Sequence, residues 1–132
     1  MNIVDVIKDL NSANEGTRVL DEQLAQLLGW ARRTKSLSDV SKGEKKAKEP
    51  WHSGDSPDPR KVPFYTSNLG HAFQFAEELC PRARLGSSWE DRRGSARIND
   101  DRYVQAATPQ IALCIAALMT AMRGGLFSQP SS

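Results

Sequence analysis

The stretch Thr108-Pro109-Gln110-Ile111-Ala112-Leu113-Cys114-Ile115-Ala116-Ala117-Leu118-Met119-Thr120-Ala121-Met122-Arg123-Gly124 is a helix written with both of its ends. Thr108 supplies a hydroxyl that can accept an orphan N–H of the first turn. Pro109 takes the first helical position, where a missing N–H is no loss. Arg123 falls in the last turn, where a cation complements the dipole, and Gly124 suits the position just past the end. Between these ends almost every side chain is apolar. Such a helix has to be covered on most of its faces. The rest of the chain is therefore read for what covers it, and part of the helix is expected to meet a second copy in a homo-oligomer.

Just upstream lies a β-type section. Segments 84–89 and 95–98 read as two strands, with Asp91-Arg92-Arg93-Gly94 as their turn and Gly94 suited to a positive φ. A second turn at Asn99-Asp100-Asp101 leads into a third strand, Arg102-Tyr103-Val104-Gln105. Further upstream, Thr66 or Ser67 caps a helix over 68–79, whose buried stripe is Leu69, Ala72, Phe73, Ala76 and Leu79. Ile3, Val6, Ile7 and Leu10 mark a first amphipathic helix capped by Asn2. Leu20, Leu24, Leu27 and Leu28 mark a second, which starts near Thr17, is stopped by Gly29 and is followed by Trp30 as a core anchor. A meander covered by helices is the α+β solution. The expectation is one domain over 1–132, with a small antiparallel sheet and helices on both faces, an α-β-α sandwich.

Between about 34 and 61 the periodicity fails. Residues 42–49 carry charge and no apolar spacing, and Ser53-Gly54-Asp55-Ser56-Pro57-Asp58-Pro59 is a run of turn formers. A mobile basic loop is expected here, with Trp51 docked on the body, and a flexible tail after 124. A net charge of +2 is too small to argue for nucleic acid as a partner. The N-terminus lacks the basic and apolar regions of a signal peptide, and about fifteen apolar residues near the C-terminus fall short of the roughly twenty that span a bilayer. A cytoplasmic protein without membrane contact is expected, its Cys80 and Cys114 reduced and buried.

Catalytic chemistry is hard to find. No glycine-rich phosphate loop, nucleophile elbow or paired metal-ligand spacing is present. His71 falls beside the helical stripe, as a surface histidine does, and Glu77-Glu78 diverge on their helix. No enzyme activity, cofactor or metal is expected. Two features suit binding. Arg84, Arg92, Arg93, Arg97 and Arg102 lie in or beside the meander, where guanidinium forks match phosphate and carboxylate. Arg97 leads, because Ala96 and Ile98 flank it on the other face of its strand. Tyr65 and Ser67 precede a helix N-terminus, where an aromatic ring can stack and backbone N–H groups can meet an anion. Trp89 is a second candidate for stacking.

The order of blocks resembles a known family. The segment 20–30, the run Val62-Pro63-Phe64-Tyr65-Thr66-Ser67-Asn68-Leu69, a Trp-bearing strand section, and Ala106-Ala107-Thr108-Pro109 leading into an Ala-rich helix are similar to small phage and prophage proteins carrying the phage ABA sandwich domain. The resemblance implies a small sheet between helical layers and carries over no catalytic residue. It also implies a phage accessory protein that works by binding, for example an anti-defence sponge that sequesters a nucleotide immune signal in the host cytoplasm. The alternatives are a protein-interaction module and a nucleic-acid binder acting through the basic loop.

Overall fold

A computed structural model describes residues 2–32, 50–54, 56 and 59–125. The basic segment 42–49 and the tail beyond 125 lie outside the described residues. The elements run α1 (Ile3–Ser12), α2 (Arg18–Leu27), β1 (Ala31–Arg32), β2 (Trp51–His52), α3 (Leu69–Leu79), β3 (Leu85–Glu90), β4 (Arg93–Ile98), β5 (Val104–Ala106) and α4 (Pro109–Arg123). One antiparallel sheet has the order β3-β4-β5, and β1 and β2 form a second, two-stranded ladder. Among the described residues no helix is long and apolar enough to cross a membrane.

The caps explain the helix starts. Asn2 accepts from the Val4 N–H, Thr17 from Leu20 and Thr108 from Ile111. Gly29, at φ +96°, ends the turn after α2 in a conformation that an L side chain rarely adopts. For α3 the cap is Asn68, which accepts from His71, rather than Thr66 or Ser67. Thr66 is taken up by the core.

The α+β class with a small antiparallel sheet is as the sequence predicts. Among the described residues the layers run sheet, α4, then α3 and α1. α4 is thus itself enclosed, as a helix apolar on nearly every face requires. Residues 111 to 118 are all buried, and solvent is reached at Gln110, at Met119 and Met122, and in the last turn. This cover comes from the same chain, so the apolarity of α4 does not by itself call for a second copy.

On α3 the buried stripe is Ala72, Phe75, Ala76 and Leu79, while Leu69 is exposed and Phe73 only half-buried. Phe73 and Phe75 stand two apart and cannot share one helical face. Tyr65 decides between them by packing its ring 5.2 Å from that of Phe75. Trp30 is buried as expected. Trp51 sits in the β1·β2 ladder opposite Arg32, whose guanidinium lies 4.9 Å from the indole ring.

A polar clamp closes the core between α2 and the segment before α3. Asp21 is fully buried. Its Oδ1 accepts from the Thr66 N–H at 2.8 Å and the Thr66 hydroxyl at 2.6 Å, and its Oδ2 from Arg18 at 2.7 Å. Thr66 Oγ1 in turn accepts from the Thr17 N–H at 3.0 Å. Arg18 also donates to the carbonyls of Val62 and Pro63, and its guanidinium lies 4.0 Å over the Phe64 ring.

Candidate functional site

The β3–β4 connection is two residues long. Asp91 and Arg92, at φ +50° and +68°, carry the left-handed turn themselves, as a type I′ connection demands. Gly94 has no positive φ and serves another purpose. A Cβ there would lie 1.9 Å from the Thr108 carbonyl carbon, so Gly94 lets the backbone of β4 touch the start of α4.

Register then assigns the faces. Leu85 pairs with Ile98, Ser87 with Ala96, and Ala96 with Val104, and these side chains share the face turned to α4. Gly86 with Arg97, Ser88 with Ser95, and Ser95 with Gln105 share the opposite face. Among the described residues no helix packs on that outer face.

Two adjoining hollows open there, of about 360 and 560 Å³. Ser95, Glu90 and Tyr103 line both; Arg84 and Arg97 line the first and Gln105 the second. Ser95 is only 2% exposed, and among the described residues its hydroxyl has no hydrogen-bond partner. Arg97 stands with its guanidinium 5.2 Å from the Tyr103 ring, and Tyr103 is 64% exposed. Arg97 Nε donates to the Asp101 carbonyl at 3.0 Å, while its nearest carboxylate contact, to Asp100, is 3.9 Å. Arg84 bridges the same Asp100, a residue whose side chain is 84% exposed.

The remaining expected site residues disperse. Arg92 and Arg93 are exposed at the hairpin end, and Arg102 is exposed before β5. Ser67 is exposed, and its backbone is engaged within the chain, the N–H donating to the Phe64 carbonyl and the carbonyl accepting from Gln110. Tyr65 cannot stack on a ligand, because it is fully buried against Phe75, where burial pushes its phenol well above the usual value. Trp89 is 61% exposed but has the register of the inner face, opposite to Arg97. The aromatic ring beside Arg97 is Tyr103, which the sequence reading passed over. Its spacing from Val104, an inward residue, was the available signal.

Both thiols are free and buried, and burial raises the pKa of each. His71 accepts the Phe64 N–H on Nδ1 at 2.9 Å and stacks on the Phe64 ring. Among the described residues no three His, Cys, Asp or Glu side chains gather as a metal site.

Beside the sheet, Asp101 ties β5's approach to α4. Its Oδ2 accepts from the Thr120 hydroxyl at 2.8 Å and from Arg123 at 2.6 Å. These two bonds hold its carboxyl below the ordinary value of 3.8. The folded form therefore binds this proton more weakly than the unfolded chain. The stabilisation is complete above the ordinary value and disappears as pH falls through the depressed one. Asp101→Asn should accordingly shrink the drop in melting temperature between about pH 6 and about pH 3. An unchanged acid slope in thermal melts would show that the contact contributes nothing.

No family model, curated protein or solved structure matches the chain.

Proposed function

We propose that this protein acts by binding rather than catalysis, and that it holds an anionic nucleotide on the outer face of the β3-β4-β5 sheet. The supporting observation is the unpartnered Ser95 hydroxyl in an open hollow rimmed by Arg84, Arg97 and Tyr103. A buried hydroxyl without a partner is costly unless a ligand or water completes it. Arg97 supplies a fork for phosphate, and its present carboxylate contact is long and exposed, so an incoming anion displaces little. Tyr103 offers a ring face to a base. Glu90 on the same wall repels a bare anion but accepts from a sugar hydroxyl or an exocyclic amine. A phosphate, a flat ring and a donor in one molecule describe a nucleotide better than inorganic phosphate. In the phage setting that the sequence resemblance implies, this activity is sequestration of a nucleotide signal in the host cytoplasm.

The test is calorimetry against cyclic di- and trinucleotides and cyclic ADP-ribose isomers. A hydrogen bond to a charged group is worth about 1.5–3 kcal/mol, so Arg97→Ala should weaken binding about ten- to a hundredfold. Ser95→Ala should also weaken binding while leaving the melting temperature unchanged or higher, since its hydroxyl satisfies nothing in the free protein. No heat from any of these ligands at about a hundred micromolar, roughly a −5 kcal/mol threshold, rejects the nucleotide reading.

A further inference from the structure

We propose that the free edge of β3 is a self-association surface, which takes β3 of a second copy in antiparallel register and joins two sheets into one. β3 is an outer strand whose neighbour in the sheet is β4. The direction of its backbone groups follows from Arg84. The Asn99 N–H donates to the Arg84 carbonyl at 2.9 Å, and the Arg84 N–H donates to Asn99 Oδ1 at 2.9 Å. Arg84 thus turns both backbone groups toward the β4 side. Successive strand residues alternate in this respect. Gly86, Ser88 and Glu90 therefore face β4, and the backbone groups of Leu85, Ser87 and Trp89 face outward. Among the described residues those outward groups meet no backbone partner.

Edge strands are ordinarily guarded by Lys, Pro or a bulge. The sequence of β3, Leu85-Gly86-Ser87-Ser88-Trp89-Glu90, has no Lys or Pro, and its pairing with β4 runs without a break from Leu85 to Glu90. This edge is open to another strand.

The side chains select a second copy as the occupant. In a continuous sheet, residues directly opposite each other share a face, and outward-facing backbone groups must oppose one another. A twofold axis at Ser87 meets both conditions. Ser87 then opposes itself, and Leu85 opposes Trp89 of the second copy on the inner face. Arg84 opposes Glu90 of the second copy on the outer face, and symmetry repeats both contacts. Moving the axis to Ser88 instead sets Arg84 against the second copy's Arg92, an unfavourable pair of like charges. The Ser87 register also covers Trp89, which is 61% exposed in the single chain. Glu90 lines the same hollow as Arg97 and Ser95, so Arg84 of the second copy also neutralises that hollow's acidic wall. This last consequence rests on the ligand reading above; the pairing does not.

Sedimentation equilibrium on the full chain from about 10 to about 300 µM should show a monomer–dimer equilibrium. Glu90→Arg places like charges opposite each other twice and should weaken it about tenfold or more, and adding Arg84→Glu should restore it. Amide hydrogen exchange at Leu85, Ser87 and Trp89 should slow as concentration rises. A monomer across the whole range overturns the proposal. So does a dimer indifferent to Glu90→Arg, a double variant that fails to recover although folded, or exchange at these amides that ignores concentration.

Discussion

Gly94→Ala is expected to cost at least about 3 kcal/mol, the upper end for forcing extra atoms into a packed interior. The usual relief for an overpacked site is a side chain that swings away. Here the atoms in the way are the Thr108 carbonyl carbon and oxygen and the Pro109 nitrogen, at 1.9 to 2.1 Å from the added carbon. All three are backbone at the start of α4, and they move only if the helix moves. The Thr108 cap, the Ser87 hydroxyl bond to the Pro109 carbonyl and the packing of Ile111 would move with it. Chemical denaturation should show a midpoint shifted far down. A midpoint within error of the wild type would mean that β4 and α4 are not in backbone contact.

Asp21→Ala is the second large effect, at about 2–5 kcal/mol, the range for leaving two buried donors without their acceptor. The carboxylate takes two donors from Thr66 and one from Arg18, all of which would lose their acceptor. Arg18 is partly exposed and recovers water, so most of the loss falls on the Thr66 N–H and hydroxyl. Thr66→Val should cost less, because it removes one of these donors together with its need. Equal losses in the two variants, read from denaturant midpoints, would place the energy in packing rather than in the carboxylate.

How far the chain could be read depended on whether the cause was local. The ends of α1, α2 and α4 are set by residues within four positions of each end, and the sequence shows them. The choice between Phe73 and Phe75 on α3 is not local: both fit a helical spacing, and Tyr65 arriving from outside the helix selects one. Gly94 looked like a turn glycine because it follows Asp91, Arg92 and Arg93, whereas its constraint comes from Thr108. Asp21 drew no notice in the sequence, because its burial depends on Thr66, forty-five residues away. At the candidate site, strand parity placed Arg97 on a face opposite Ile98, as the register has it. Grouping arginines by proximity in sequence was less informative, because Arg92 and Arg93 sit at a hairpin end while Arg84 returns to Arg97 through pairing.

The enclosed position of α4 also bears on how the chain is made. α4 follows, in order of synthesis, every element it packs against. A nascent chain that has not yet delivered residue 109 to the tunnel exit holds an apolar sheet face and an apolar α3 stripe with nothing to put between them. Hairpins and single helices form in microseconds, yet translation adds only about 5–20 residues per second. Those two faces therefore wait, bare, for a time that is long on the scale of their own formation. A ribosome stalled before α4 emerges presents a natural client for the chaperones gathered at the exit.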